Sequence, residues 1–465
     1  MALDFEAAYA EGVTQEVAPP AAAEGGPELL IRAAPAEEAV AIHGCVLTPA
    51  RTIEKGYVVV AGKQIQAVQE TKPQGVRVHD TGDGVITPGL IDLHGHPEFN
   101  IFGAWEPPQQ FVNRYSWRGS EIYHELVRDP QNRLLKALPP RTQLRYAEIR
   151  ALVAGVTAIQ GTGGAATAYQ DEALVRNVDK WIFGGQVARA MIDLPTASSR
   201  DMPRLEKILA DIAAGTVKAF YLHLCEGRGD NKRSQDEYTH FVDLHALTPA
   251  TVVIHGTSLT KPQIGELHDG GAKLVWSPQS NLRLYGETTN AAAALDAGML
   301  VGLGADWLPS GSTSLLAEMK VARRSLVAQG AKPSAKMLVD MVTRDAATIA
   351  GLDDRLGELK EGRAADLVVF ERRFEDPWEN VVEADPSWVD LVMIDGDLAY
   401  GRKDWMLGLT ADADHERLEQ EIAWGQDMRL DASYTAGDAG AEVPKLAQLR
   451  ADLIKEYKPV GPIFA

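Results

Sequence analysis

Two histidines separated by a single residue are the first feature of this sequence that could do chemistry. His94 and His96 lie in the stretch VITPGLIDLHGHPEFN, residues 85–100, where an apolar run flanked by proline predicts a short buried strand. Because side chains alternate along a strand, both imidazole rings face the same side. Neutral imidazoles are favoured ligands of Zn²⁺ in sites that keep one position open for water. The pair predicts half of a divalent-metal site; the alternative is two unrelated histidines in a turn.

Further candidate groups follow three later apolar segments. AFYLHLCEG carries His223 and, three residues on, Glu226; TVVIHG ends in His255, and VGLGAD ends in Asp306. Taken singly, each has a structural explanation: a core histidine, a solvated carboxylate or a helix cap. Taken with the histidine pair, they put metal-ligating or proton-carrying groups at four strand ends, which is improbable by chance. We therefore expect one site that contains all of them.

Alternating strand and helix patterns must position these groups. The strand-like segments are VTAIQG, WIFGGQVA, VKAFYLHL, TVVIHG, AKLVWSP and MLVGLGAD. RTQLRYAEIRALVAG has a helical pattern, and SLLAEMKVARRSLVAQG is an amphipathic helical segment. Such alternation implies parallel strands joined by right-handed crossovers. This many units over roughly 250 residues predict an α/β fold of the (β/α)8 TIM-barrel type, with its active site at the C-terminal strand ends.

Short β-type segments flank this region on both sides. AVAIHGCVLT, KGYVVVAGKQIQAV and GVRVHDTG precede it, and AADLVVFE and WVDLVMIDGDLAYG follow it. They predict a discontinuous small β-sandwich domain in which His43 and His79 are structural. The predicted organisation is an acidic Ala/Pro-rich extension (1–38), a β-sandwich in two parts (39–88 and 354–402), a barrel between these parts (89–353) and a C-terminal extension (403–465).

Composition and charge narrow the functional class. The 465 residues are 45% hydrophobic and 24% charged, as expected of a globular chain, and the formal net charge of −19 argues against nucleic acid or an anionic membrane as a partner. The two cysteines, Cys45 and Cys225, make no disulfide framework and suit a reducing compartment. The first residues lack the pattern of a signal peptide, and no stretch approaches a membrane span. We expect a cytoplasmic protein with a small-molecule substrate.

The sequence resembles the amidohydrolase superfamily, in its cytosine-deaminase-like, mononuclear branch that also holds the triazine hydrolases and guanine deaminase. The resemblance is carried by PGLIDLHGHP, HLCE, VIHG, SPQSNLRLYG (277–286), GLGAD and DRLGELKEGRAADLVVF, and it covers nearly the whole chain apart from the termini. It implies the barrel, a β-sandwich partner domain and a homo-oligomer.

The resemblance also implies residue roles. Glu226 corresponds to the proton shuttle and His255 to the group that polarises the attacking water or the substrate. Three neutral histidines and one carboxylate lower the pKa of a bound water towards neutrality, and Asp306 can accept that water's proton while Glu226 carries one to the leaving nitrogen. The residues that the resemblance assigns as metal ligands are His94, His96, His223 and Asp306.

We expect one divalent metal per chain, with zinc favoured over iron or manganese. Binuclear relatives bridge two ions with a carboxylated lysine on the fourth strand. Lys180 precedes the candidate fourth strand, and Lys218 begins the next one, far from its metal-binding end. Neither lysine is in a position to bridge two ions.

The loop FGAWEPPQQFVNRYSWRG is expected to cover the barrel mouth. In it Arg114 could hold a substrate carboxylate while Trp105, with Trp307 beyond the last strand, stacks on a substrate ring. An Arg–Glu pair and aromatic packing on helices explain these residues equally well. Cys225 is expected to be buried packing and not a nucleophile.

Together these features predict a metal-dependent hydrolase that adds metal-bound hydroxide to the sp² carbon of a C–N bond. Deamination of an amino-substituted heterocycle is the leading interpretation. An amidase or cyclic amidohydrolase could use the same residues. A non-catalytic metal-binding scaffold is the alternative from another class, and a complete ligand set together with Glu226 argues against it.

Overall fold

The computed structural model describes residues 38–161, 173–180, 182–433 and 444–464. The predicted N-terminal extension therefore lies outside the described residues except for its last position. Within the described ranges the strands form three sheets, of nine, five and three strands. No helix in these ranges is both long enough and apolar enough to cross a membrane.

The largest sheet is built from both ends of the chain. Its strands are β1 (Val40–Leu47), β2 (Thr52–Ala61), β3 (Gln64–Gln69), β4 (Arg77–Pro88), β13 (Leu367–Phe370), β14 (Val389–Ile394), β15 (Asp397–Arg402), β16 (Glu419–Ala423) and β17 (Gln426–Leu430). Their order is β16-β17-β15-β14-β13-β4-β1-β2-β3, and only β1 and β4 pair in parallel. The halves join where Ile86 pairs with Val369, so the flanking β segments do share one structure, as the sequence indicates.

This sheet continues past residue 402, where the sequence analysis placed the start of a C-terminal extension. Trp424 and Gly425, both at positive φ, form the turn between β16 and β17, and β17 buries Met428 and Leu430. The first three residues of β16, Glu419 to Glu421, are polar and at least partly exposed, so this edge strand lacks the apolar run that predicts the other strands. Residues 419–430 are therefore part of the sheet.

Eight short parallel strands lie between these flanks. They are β5 (Leu90–Asp92), β6 (Val156–Ile159), β7 (Arg176–Asn177), β8 (Ala188–Met191), β9 (Ala219–Leu224), β10 (Thr251–His255), β11 (Lys273–Trp276) and β12 (Val301–Leu303). They form sheets ordered β12-β11-β10-β9-β8 and β5-β6-β7. Just beyond β5, the N–H of Leu93 donates to the carbonyl of Leu303 at 3.2 Å, which brings β5 beside β12. The prediction of an α/β fold with parallel strands is confirmed.

Helices connect the parallel strands and cover them. They are α1 (Arg114–Arg118), α2 (Glu121–Tyr123), α3 (Asp129–Ala137), α4 (Pro140–Val153), α5 (Met202–Ala213), α6 (Lys232–Asp243), α7 (Lys261–Asp269), α8 (Pro278–Tyr285), α9 (Ala291–Asp296), α10 (Leu315–Ala328), α11 (Ala335–Asp340), α12 (Arg344–Ala350), α13 (Pro377–Glu383), α14 (Lys403–Leu409) and α15 (Leu446–Glu456). A π-helix, His124–Arg128, follows α2, and short 3₁₀ turns occupy Pro97–Phe99, Pro386–Trp388 and Asp412–Arg417. RTQLRYAEIRALVAG and SLLAEMKVARRSLVAQG, the two segments predicted to be helical, form α4 and α10.

Two strand predictions were wrong in detail. In the described part of WIFGGQVA only Ala188 belongs to a strand, as the first residue of β8, because Phe183 and Gly184 take positive φ and make a turn between β7 and β8. The apolar run at 85–100 is two strands, since the chain leaves the large sheet at Pro88 and enters the parallel one at Leu90. Gly89 permits this transfer because a Cβ there would overlap the Thr157 side chain.

A buried ion-pair cluster connects the two regions of the fold. The guanidinium of Arg176 on β7 donates Nε and Nη2 to the two carboxylate oxygens of Asp366, at 2.8 and 2.9 Å. Nη2 also donates to Asp395 at 2.8 Å, and the ring of Phe183 lies 4.4 Å from the guanidinium carbon. Asp366 and Asp395 border β13 and β14 of the large sheet, so this cluster fixes the parallel strands against it.

Replacing Arg176 by methionine is expected to lower the free energy of unfolding by about 3–5 kcal/mol, because the buried Asp366 loses its cation and Asp395 is left with Lys63. Chemical denaturation followed by circular dichroism measures the loss. The matched control is Lys232→Met, which removes an exposed pair with Asp236 and should cost less than about 1 kcal/mol. Equal losses from the two variants would contradict a stabilising role for the buried cluster.

Candidate functional site

The candidate groups do meet, at the C-terminal ends of four parallel strands. His94 and His96 follow β5, His223 is the fifth residue of β9, His255 is the last residue of β10, and Asp306 follows β12. The N–H of Asp306 donates to the carbonyl of His94 at 2.7 Å, which locks two of these ends together. All of these residues are buried except His96, which is partly exposed.

Ring nitrogens and a carboxylate oxygen converge at the centre of the site. Nε2 of His94 lies 3.1 Å from Nε2 of His223 and 3.4 Å from Oδ1 of Asp306. Nε2 of His96 is 3.6 Å from the same oxygen. Ligand atoms of His94, His223 and His255, and those of His94, His96 and Asp306, form two overlapping groups, each within 4.8 Å. The described residues thus offer five candidate ligands around one point.

The protonation states of these groups fit a divalent cation. Burial and the neighbouring histidines hold the pKa of His94 and of His223 well below the usual range, and burial lowers the pKa of His96 to about 4. The rings are therefore neutral near pH 7, which is the ligating form. Burial also raises the pKa of Asp306 well above its usual value, a cost that a cation would offset. The donor set fits a metal by its chemistry.

His255 is set apart from the other histidines by its hydrogen bonds. Its Nδ1 lies 2.9 Å from the amide nitrogen of Asn281, whose Oδ1 faces the hydroxyls of Thr288 and Thr289. An amide nitrogen can only donate, so Nδ1 of His255 accepts and Nε2 carries the proton of the neutral ring. Burial lowers the pKa of His255, which favours this neutral form. A protonated Nε2 donates a hydrogen bond and does not bind a metal.

Glu226 lies beside the convergent nitrogens, two residues past the end of β9. It is 3% exposed, its Oε2 lies 3.7 Å from Nε2 of His255, and its Oε1 accepts a 2.5 Å hydrogen bond from the hydroxyl of Tyr285. The backbone carbonyl of Glu226 accepts the N–H of Arg114 at 3.2 Å. One carboxylate oxygen is thus held while the other faces the centre of the site.

Strained backbone marks the same strand ends. Cys225, His255 and Asp306 all have φ between 55° and 66°, the left-handed region that non-glycine residues seldom adopt. Residues in this region cost free energy and persist where surrounding structure fixes them, often at functional sites. This constraint redirects the chain at each strand end, and the side chains of His255 and Asp306 enter the site.

Helix α8 and Ser277, the residue just before it, make polar contacts with four of the site groups. Pro278 begins it with a fixed φ, and Gly286 ends it at φ 71°, donating its N–H to the carbonyl of Leu282. The spacing of the contacting residues puts them on one helical face. The contacts are Ser277 to Nδ1 of His94 at 2.8 Å, Ser280 to Asp306, Asn281 to His255, and Tyr285 to Glu226.

Two buried acids support this arrangement, and sequence reasoning missed both. Asp92 accepts the N–H of His94 at 3.2 Å and that of Ala305 at 3.1 Å, so it joins the ends of β5 and β12. Glu318 on α10 accepts the N–H of Gln279 in the first turn of α8 at 3.0 Å. Burial raises the pKa of Asp92 to about 7 and that of Glu318 to about 8. The only sequence signal for Asp92 was a carboxylate two residues before His94.

An aromatic pocket opens onto these groups. Trp307 lines it, as expected from the sequence, together with Trp117, whose ring centroid lies 5.2 Å away. Trp105 does not line the pocket: it is 3% exposed and packs behind Trp307 with ring centroids 6.0 Å apart. Aromatic packing, the alternative weighed for Trp105, describes its position. The other aromatic lining residues are Phe99 and Tyr123.

Arg114 reaches the pocket but its guanidinium is already engaged. Nη1 donates to the carbonyl of His223 at 3.1 Å, and Nη2 contacts the hydroxyl of Tyr115 at 3.0 Å, Asp193 at 3.0 Å and Glu237 at 3.4 Å. This geometry matches the alternative of a buried arginine–acid pair and argues against a substrate carboxylate at Arg114.

Cys225 is also a packing residue. It is fully buried, its N–H donates to Glu237 at 2.7 Å, and burial raises the pKa of its thiol, which keeps the thiol protonated and unreactive.

The chain resembles known proteins in sequence and in fold. A profile described as the amidohydrolase family matches residues 204–399, a range that holds His223, Glu226, His255 and Asp306. A 5-methylthioadenosine/S-adenosylhomocysteine deaminase of Moorella thermoacetica is 25% identical over 410 residues, which cover 78% of this chain and 94% of the relative. A guanine deaminase of Escherichia coli is 24% identical over 367 residues, covering 69% and 82%.

A solved structure shows the same fold. The crystal structure of an adenosine deaminase from Xanthomonas campestris with bound zinc superposes with a TM-score of 0.66 at 18% identity, covering 93% of this chain and 99% of the other. A likeness at this identity shows the fold.

Removal of a proposed ligand is expected to release the metal. His94→Ala or Asp306→Ala should lose bound divalent metal after dialysis, and its melting temperature should fall because binding to the folded state alone adds stability. Elemental analysis and thermal melts measure both effects. His43→Ala and His79→Ala are the controls, since both histidines lie in the large sheet, paired with Asp80 and packed on Trp405 respectively. Equal metal loss in the controls would show that the metal site has been assigned to the wrong part of the fold.

Proposed function

We infer that the chain is a hydrolytic enzyme of the amidohydrolase superfamily, in its deaminase-like branch, that acts on carbon–nitrogen bonds, and on this premise we propose its reaction. We propose that it replaces the exocyclic amine of an amino-substituted heterocycle by oxygen and releases ammonia. The observation that carries the proposal is the buried Glu226 carboxylate, which lies between the converging histidines and an aromatic pocket. Relatives named as deaminases of adenine and guanine compounds support the same reaction class.

We assign one divalent metal to the donors that remain when His255 is set aside. They are His94, His96, His223 and Asp306, as the resemblance implies. A bound divalent cation acidifies water and supplies hydroxide near neutral pH. Zinc is our choice, because three imidazoles and one carboxylate suit it and because the Xanthomonas structure is described with bound zinc.

Glu226 moves the protons in this scheme. Tyr285 holds Oε1, so Oε2 is the oxygen that accepts a proton as the nucleophile adds to the ring carbon. The same oxygen then delivers the proton to the amine nitrogen, the C–N bond breaks and ammonia leaves. The carboxylate returns to its ionised state after each turnover.

His255 and the aromatic residues orient the substrate. Nε2–H of His255 can donate to a ring nitrogen or carbonyl and stabilise negative charge that develops there during addition. Trp117 and Trp307 present flat faces on which a planar heterocycle can stack. Neither function requires a substrate carboxylate, which agrees with the engaged guanidinium of Arg114.

We further propose that the eight parallel strands close into a (β/α)8 barrel. We propose that the large sheet forms the discontinuous β-sandwich domain expected from the sequence. The hydrogen bond from Leu93 to Leu303 supports closure between β5 and β12. The cytoplasmic location and the homo-oligomer expected from the sequence remain predictions.

The reaction is tested by supplying the metal-loaded protein with a panel of aminopurines, aminopyrimidines and aminotriazines. We expect one ammonia per molecule of substrate consumed and an oxo product by mass spectrometry. A carboxylate product from amide substrates, without deamination, would favour the amidase alternative. Retained metal with no turnover on either panel would favour a scaffold.

Replacing Glu226 by glutamine is expected to separate metal binding from chemistry. The amide keeps the size and polarity of the side chain but cannot take up a proton, so kcat should fall about 10²- to 10⁴-fold while metal content and substrate binding persist. Stopped-time ammonia assays and calorimetric titration of substrate measure the two effects. Glu266→Gln is the control, because Glu266 lies outside the site, where it accepts a hydrogen bond from the hydroxyl of Tyr238. A near-normal kcat in Glu226→Gln would remove this residue from the mechanism.

A further inference from the structure

Tyr285 lies between the pocket wall and the proposed proton shuttle. Its hydroxyl donates to Oε1 of Glu226 at 2.5 Å, and it accepts the indole Nε1–H of Trp117 at 2.9 Å. Tyr285 is fully buried at the end of α8, whereas Trp117 belongs to α1 in the loop over the site. The three side chains form one continuous chain of hydrogen bonds from loop to carboxylate.

The direction of each of these hydrogen bonds is fixed by which group can donate. An indole N–H can only donate, so the oxygen of Tyr285 must accept from Trp117. The single hydroxyl proton of Tyr285 is then left for Glu226. Burial and the nearby Glu226 carboxylate hold the pKa of Tyr285 well above its usual value, so the phenol stays protonated as a donor. Oε1 of Glu226 is consequently always an acceptor.

We propose that Tyr285 is a positioning residue that selects which oxygen of Glu226 carries the proton. With Oε1 committed to Tyr285, any proton that Glu226 takes up resides on Oε2, the oxygen 3.7 Å from Nε2 of His255. Trp117 acts through Tyr285 by fixing the direction of its hydrogen bond. This inference rests on the proposed function, because it assigns the geometry by which Glu226 performs proton transfer.

The same contacts couple the substrate pocket to proton transfer. Trp117 lines the pocket and packs against Trp307 with ring centroids 5.2 Å apart, so a stacked substrate touches the residue that orients Tyr285. A ring that displaces Trp117 weakens the hydrogen bond to Tyr285 and frees the phenol to rotate. A ring that leaves Trp117 in place keeps Oε2 ready to receive the proton. Selection of substrate shape and proton transfer therefore share one element.

The principal test is Tyr285→Phe, which removes the hydroxyl and keeps the ring. Loss of a donor to the ionised carboxylate favours its protonated form, so the acidic limb of the kcat/KM profile should move to higher pH by about one to two units. kcat near neutral pH should fall about 10- to 100-fold, with KM and metal content close to wild type. An unshifted acidic limb together with wild-type kcat overturns the proposal.

Tyr238→Phe is the matched control. The hydroxyl of Tyr238 on α6 donates to Glu266 at 2.7 Å, so the substitution breaks the same kind of tyrosine–glutamate hydrogen bond outside the site. Its pH profile and kcat should equal those of wild type while its melting temperature falls about as much as that of Tyr285→Phe. A pH shift of equal size in the control would make the effect one of general stability and overturn the proposal.

A second variant, Trp117→Phe, tests whether Trp117 acts on Glu226 through its hydrogen bond to Tyr285. It should move the acidic limb the same way by a smaller amount, whatever it does to KM through substrate contact. In the Tyr285→Phe background the Trp117 substitution should leave the limb unmoved, because Trp117 acts through Tyr285. Additive shifts in the double variant would overturn that order of action.

A measurement without turnover separates this inference from the proposed function. Infrared difference spectra of the metal-loaded, substrate-free protein show the protonated Glu226 carboxyl as the band that Glu226→Gln lacks. In Tyr285→Phe that band should appear at higher pH than in wild type. An unchanged band overturns the positioning role even if the enzyme is a deaminase, whereas a shifted band in a protein that releases no ammonia overturns the proposed function alone.

Discussion

The face that α8 turns toward the strand ends is the constraint on which the site depends. Burying histidines and carboxylates at four strand ends is costly unless each has a partner, and one short helix supplies a polar contact to His94, Asp306, His255 and Glu226. Glu318 in its turn fixes the start of that helix by accepting the N–H of Gln279. A shift of α8 would disturb the candidate ligands, the polarising histidine and the proton shuttle at once, so catalysis and packing share the same contacts.

The candidate groups could be predicted because their signal is local. Each follows an apolar strand, and the C-terminal ends of parallel strands meet on one face, so the sequence brought His223, Glu226 and Asp306 to the histidine pair without coordinates. The resemblance to the amidohydrolase superfamily is confirmed by the comparisons with known proteins. Side-chain partners are decided by tertiary packing instead. SPQSNLRLYG was recognised as a family motif, yet nothing in it tells which residue meets which group.

The same distinction explains the errors. Trp105 and Arg114 were considered substrate contacts because aromatic and cationic residues in a loop suit a ligand, but their neighbours in space are other rings and acids. The predicted end of the sheet at residue 402 is too early, because its edge strand β16 begins with three polar residues. The split of the first strand at Gly89 depends on contact with Thr157, which is distant in sequence.

His255 acts as a hydrogen-bond donor and is distinct from the four groups that would bind a single metal. An anomalous-scattering map of crystals of the metal-loaded enzyme tests this distinction most directly. We predict one peak per chain, at about 2.0–2.2 Å from the ring nitrogens of His94, His96 and His223 and from Asp306, with Nε2 of His255 and both oxygens of Glu226 beyond bonding distance. A second peak in the site, or a peak bonded to His255 in place of one of these ligands, would contradict it.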